Sequence, residues 1–219
     1  MRSIVSLKAR LVGLGMAGAA LVAAPALAHA EEVFFAGSTQ GAFNGAAMSG
    51  SSSLLGLTYS NSTFAGTTSA GFLGIGSAAR PGSNFNNLGS FTLDATPRTY
   101  GGNTFQLMVT FTAPAGIAGG PSTTFSSLIT GSVTSANNGG VLVDFDNAPR
   151  TFSFDNGASS GTFVFSVNDV SINPGKTVEV TGQILSATST TVPEPASMTL
   201  LATGLAGMAA AARRRKRAK

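Results

Sequence analysis

Two carboxylates stand two residues apart in the stretch "VLVDFD", at Asp144 and Asp146, with Asn147 directly after them. In an extended strand such side chains project from one face at roughly 7 Å. That spacing is open to an acid/base pair, and so to a carboxylate-dependent polysaccharide hydrolase working through Asp144 and Asp146. The same oxygens are the hard ligands calcium takes. Asp144, Asp146 and Asn147 are therefore calcium candidates, with Asp155, Asn156 or Asp169 available from neighbouring loops. No D-x-D-x-D-G loop accompanies them, and solvated acids where a strand enters a turn are the ordinary alternative. The rest of the chemical inventory is narrow. The chain has no cysteine, which excludes a thiol nucleophile, a disulfide and a Cys-ligated metal, and its one histidine is His29. If a leader ending at Ala30 is removed, Ser-His-Asp catalysis and His-ligated zinc are excluded as well. Sugar-binding platforms lean on Trp and Tyr, and here there is no Trp and only Tyr59 and Tyr100. The expectation is a protein that is not an enzyme and that carries no cofactor.

The charges are segregated. All nine acidic residues lie between Glu31 and Glu194, where only Arg80, Arg98, Arg150 and Lys176 are basic. The other Lys and Arg residues stand in short blocks beside apolar stretches, which is the layout of membrane topology signals and not of a groove that tracks phosphates. No nucleic-acid partner is expected.

At the N-terminal side, Arg2, Lys8 and Arg10 precede or open an apolar stretch over 11–27, and Ala28-His29-Ala30 places small residues at the −3 and −1 positions of a signal-peptidase site. Ala28 and Ala30 are the cleavage residues, and 1–30 is read as a signal peptide with a helical core. At the other end, 196–212 is an uncharged run of 17 residues. As a helix it reaches about 25 Å against a hydrocarbon core of roughly 30 Å, so it spans only marginally. Arg213, Arg214, Arg215, Lys216 and Arg217 follow as a stop-transfer block within 213–219, held on the cytoplasmic side, and the middle of the chain therefore faces outward. Ahead of the run, Pro193 and Pro195 hold the backbone extended around Glu194, a shape that a cleft can accept as a strand-like substrate.

Val192-Pro193-Glu194-Pro195, the short apolar run and the Arg-rich end together resemble the PEP-CTERM sorting signal of exported proteins in Gram-negative bacteria. The resemblance implies processing by exosortase, a membrane-embedded enzyme with a cysteine nucleophile. It implies export, transient retention in the inner membrane with the domain in the periplasm, cleavage near 193–195, and release or transfer to the cell surface. It also implies a structural or adhesive role in exopolysaccharide or biofilm matrix. The partners expected are signal peptidase, exosortase, the membrane through the C-terminal helix, and exopolysaccharide. A calcium- or glycan-binding surface adhesion module is the alternative.

Between the two ends the pattern is that of strands. In "TFQLMVTFT" Phe105, Leu107, Val109 and Phe111 alternate with polar or smaller residues; Val141, Val143 and Phe145 do the same, as do Phe163, Phe165 and Val167. In "TVEVTGQI" Val178, Val180 and Ile184 are expected to point inward. "NNGG" at 137–140, "DNG" at 155–157 and "NPG" at 173–175 supply hairpin turns. The stretch 36–87, rich in Gly, Ser, Thr and Asn, reads as short strands joined by turns. The chain therefore divides into a signal peptide (1–30), an exported β domain (31–190) and a sorting tail (191–219). The fold expected of the middle is an all-β antiparallel two-sheet sandwich, jelly-roll or immunoglobulin-like, flanked by the signal helix and a C-terminal transmembrane helix.

Overall fold

The computed structural model describes residues 29–30, 32–76, 86–191, 202–205 and 207–208. Their strands, in chain order, are β1 (His29–Ala30), β2 (Phe34–Phe43), β3 (Ser51–Leu54), β4 (Leu57–Ser60), β5 (Thr63–Thr67) and β6 (Leu73–Ile75). The series continues with β7 (Ser90–Leu93), β8 (Arg98–Thr99), β9 (Asn103–Ala113), β10 (Ser122–Ser135) and β11 (Asn138–Phe145). It ends with β12 (Arg150–Asp155), β13 (Ser159–Val167), β14 (Val170–Ile172), β15 (Thr177–Glu179) and β16 (Gly182–Thr191). The protein is mostly β, and every described ladder is antiparallel.

Three sheets result. The seven-stranded one runs β14-β11-β10-β9-β2-β5, with β8 also on β10; a five-stranded one runs β1-β16-β13-β12, with β6 also on β16; a four-stranded one runs β15-β7-β4-β3. One apolar cluster joins all three. Phe111, from the inner face of the seven-stranded sheet, meets Phe163 and Phe165 of the five-stranded sheet at ring-centroid distances of 5.1 and 5.3 Å. Further along β9, Phe105 meets Tyr59 and Phe91 of the four-stranded sheet at 5.0 and 4.9 Å. Burying one such side chain contributes about 1.5–3 kcal/mol, and the tilted and edge-on ring geometries add to that.

The alternations read from sequence place their residues as expected. Phe105, Leu107, Val109, Phe111, Val141, Val143, Phe145, Phe163, Phe165 and Val167 are buried. The "DNG" and "NPG" segments form turns, with Gly157 and Gly175 at φ of 81° and 70°, backbone conformations that side chains with a Cβ disfavour.

Two features differ from the sequence reading. The run "TVEVTGQI" is not one strand: β15 belongs to the four-stranded sheet and β16 to the five-stranded one, with the chain changing sheets at 180–181. Val180 and Ile184 are buried, but Val178 is only half-buried. And 36–87 opens within a long strand, β2, of 10 residues. Its inward positions are Phe35, Gly37, Thr39, Gly41 and Phe43, all buried. A Cβ at Gly41 would collide with the rings of Phe105 and Tyr59, and one at Gly37 with Phe64. Glycine stands where large neighbouring rings occupy the volume a side chain would need, so the strand carries no bulky alternation to betray it.

Candidate functional site

Asp144 and Asp146 are both exposed and lie on the outer face of the seven-stranded sheet, as the alternation of "VLVDFD" requires. The pairing register assembles them with residues that the sequence leaves 16 to 40 positions away. Thr104, Leu128 and Asp144 form one row across β9, β10 and β11. Gln106 and Ser126 form the next, and Asp146 extends it by donating its backbone N–H to the Ser126 carbonyl at 2.8 Å. These two rows, with Ser127 and Phe145, line a groove of about 410 Å³.

The groove divides by commitment. Asp146 is held: its Oδ2 pairs with Arg150 Nη2 at 3.2 Å and its Oδ1 accepts the Ala148 N–H at 3.2 Å. Arg150 is in turn fixed by donating to Thr123 Oγ1 at 3.0 Å and by lying 4.4 Å over the Phe125 ring. Thr104, Gln106, Ser126 and Asp144 make no side-chain hydrogen bond to any described residue. Their donors and acceptors are open to solvent, and Leu128 between them is 59% exposed.

Several of the expected calcium ligands are already engaged by other groups. Asn147 donates its amide to Asp169 Oδ2 at 3.1 Å, Asp169 Oδ1 accepts the Phe145 N–H at 2.9 Å, and Asp146 already faces a cation in Arg150. Asp155 accepts the Gly157 N–H within its own turn, and Asn156 accepts the backbone N–H groups of Ala158 and Ser159. Among the described residues no group of three or more His, Cys, Asp or Glu is placed to hold a metal ion.

Neither tyrosine forms a sugar platform, because both are fully buried. Tyr59 hydroxyl reaches Thr39 Oγ1 at 2.8 Å and the Leu88 carbonyl at 2.9 Å, and Tyr100 donates to the Leu55 carbonyl at 2.7 Å. Burial raises the pKa of both phenols. The Thr39 hydrogen bond opposes this at Tyr59, while at Tyr100 Asp94 adds to it and Arg98 opposes it.

The sorting tail begins where the fold stops. β16 runs through Thr191 and pairs there with Ser159 of β13, and on its other side Thr190 and Ser189 pair with His29 and Ala30 of β1. The chain thus enters and leaves the domain at the same end of the five-stranded sheet. Ala28, the motif residues Val192, Pro193, Glu194 and Pro195, and the basic residues Arg213, Arg214, Arg215, Lys216 and Arg217 lie outside the described residues. So does most of the expected transmembrane helix 196–212; within it 202–205 and 207–208 are helical, with Leu205 and Met208 exposed. Among the described residues no helix is long and apolar enough to cross a membrane.

Comparison with known families matches residues 191–216 to the PEP-CTERM protein-sorting motif. No curated protein and no solved structure matches the chain. The matched segment begins at the last residue of β16 and takes in the Pro-Glu-Pro triplet, the apolar run and four of the clustered basic residues. Residues 191–216 thus carry a PEP-CTERM sorting motif, which implies an exported protein processed by exosortase.

Proposed function

We propose that this is a non-enzymatic protein of the cell envelope or extracellular matrix, structural or adhesive in exopolysaccharide, whose β domain is delivered by removal of its sorting tail. The observation that carries the reading is the junction at Thr191: the last described strand ends where the sorting motif begins, so cleavage at 193–195 removes no described strand and none of the described core. A domain so bounded is suited to be cut free, or transferred, while folded. The pairing of β1 with the end of β16 supports the same order of events: it sets the last two residues of the leader, which cleavage after Ala30 removes as a two-residue edge strand, beside the start of the tail, so that both can reach one membrane. In this reading signal peptidase cleaves after Ala30, and the tail holds the domain on the periplasmic side of the inner membrane. Exosortase then passes it to the surface. Packing of the five- and four-stranded sheets against one face of the seven-stranded sheet supports a two-layer sandwich as the exported unit.

The test is the intact mass of the protein in membrane, surface and medium fractions. A surface form lacking 1–30 and everything beyond 193–195 is expected, with any excess mass reporting an attached group. Glu194→Ala should leave the tail on and the protein in the membrane fraction. A wild-type protein that keeps Arg213 to Lys219 and stays in the inner membrane overturns the proposal.

A further inference from the structure

We propose that the groove on the outer face of the seven-stranded sheet is a binding site for a glycan chain of neutral or amino sugars. This deepens the matrix role proposed above and rests on it only for the source of the ligand. A sugar ring presents hydroxyls that both donate and accept, around a body of C–H groups. The groove presents the complement. Gln106 offers an amide with donors and acceptors, Thr104 and Ser126 offer hydroxyls, and Asp144 offers a carboxylate able to accept from two neighbouring hydroxyls. Leu128, 59% exposed at the centre of the row, gives the apolar contact that the absent aromatic side chains would otherwise supply. None of these four polar side chains is bonded to another described residue, so binding need not break an internal contact.

Charge narrows the class further. Asp144 and Asp146 line the groove and Asp169 lies beside it, while the nearby guanidinium of Arg150 is committed to Asp146. A polymer of uronic acids would place carboxylates against carboxylates, whereas neutral sugars meet no such repulsion and amino sugars gain from the free Asp144. The groove, of about 410 Å³, is open to solvent on the outer face of the sheet, which suits a segment of a chain passing over it and not an enclosed small ligand.

The experiment is titration of the full chain in detergent micelles with three probes: a hexamer of N-acetylglucosamine, a hexamer of glucosamine and a hexamer of galacturonate. Binding is read by calorimetry and by backbone amide shifts. The result expected is binding of the N-acetylglucosamine or the glucosamine hexamer, with shifts centred on β9–β11 and none from galacturonate. Gln106→Ala and Asp144→Ala should each weaken binding by about tenfold, the loss of one good hydrogen bond. Thr162→Val, on the opposite sheet, should leave it unchanged. The proposal is overturned if no probe shifts the groove amides, if galacturonate binds as well as the others, or if the groove variants bind like wild type. It is equally overturned if Leu128→Asp converts a dimer to a monomer, which would make the face an interface between copies. Because tail processing is read by mass and this site by titration, either reading can fail while the other stands.

Discussion

Rows on the outer faces of the two larger sheets draw on similar polar residues and reach opposite chemical states. On the five-stranded sheet, directly opposed residues of β13 and β16 are alike: Ser160 and Thr190 hydroxyls lie 3.3 Å apart, and Thr162 and Thr188 lie 3.1 Å apart. In the groove of the seven-stranded sheet the opposed residues Thr104, Leu128 and Asp144 are unlike and no bond forms between their side chains, whereas farther along the same β9–β10 ladder the Thr110 and Ser122 hydroxyls do bond, at 2.9 Å. A row of matched hydroxyls can close on itself, each group serving as donor or acceptor for the next. A carboxylate beside a leucine cannot. The matched rows are therefore self-satisfied, and the groove keeps its capacity for whatever approaches it.

The comparison is broken most completely from beneath. Phe111 packs against Phe163, Phe165, Phe152 and Phe64, so it supports both sheets at once. Phe111→Ala is expected to cost about 3–5 kcal/mol, read as a lower urea midpoint, with loss of order on both faces together.

Tyr59→Phe should cost about 1–3 kcal/mol, because it leaves the buried Leu88 carbonyl without its hydroxyl donor. The same phenol gives a pH dependence whose sign is set. Burial raises the folded-state pKa of Tyr59 and Tyr100 above the ordinary value of 10.0. Their contribution is whole below about pH 10 and is lost as pH rises further, when the unfolded phenols ionise first. Urea midpoints measured from neutral pH upward should fall beyond that point, less steeply in the Tyr59→Phe variant.

Paired Thr162→Val and Thr188→Val changes sharpen the contrast between faces. They should cost about 0.2–1 kcal/mol of stability and leave glycan titrations untouched. Gln106→Ala should do the reverse, within about 0.5 kcal/mol of wild-type stability. The smallest effect concerns ions. Millimolar calcium should leave the melting temperature unmoved, since Asp146 is already matched by Arg150 and a cation that does not bind the native state cannot raise it. A clear calcium-dependent rise would show that Asp144 and its neighbours rearrange around a metal.

Much of the fold was legible wherever a strand had bulky residues on one face and turn residues at its ends. Val141, Val143 and Phe145 against Leu142, Asp144 and Asp146 is such a case, and it correctly placed the two carboxylates on the outer face. β2 was not legible, because Gly37 and Gly41 face rings supplied by Phe64, Phe105 and Tyr59 from other strands, and a missing side chain has no periodicity to read. Nor was β16. Its ladder shifts register between Val164 and Phe165 of its partner, so that Ile184 and Ala187 both point inward across an irregular step. Of the candidate site, only the two aspartates could be found in advance; Thr104, Gln106, Ser126 and Leu128 gave no signal of their own.

What the amino-acid order determined by itself was everything carried by short-range pattern. That includes the sorting tail, whose recognition depends on contiguous residues, the period-two alternation that makes strands, and the turns that make hairpins. The tertiary structure alone decided which strands lie side by side, in what register, and where the chain crosses from one sheet to another at 180–181. Those choices depend on how rings from distant segments fill one another's space, an interaction between residues tens of positions apart that no local period encodes. The groove belongs wholly to the second kind: five of its six outward side chains come from three strands and the sixth, Asp146, from the residue after β11, and only the register of β9, β10 and β11 makes them neighbours.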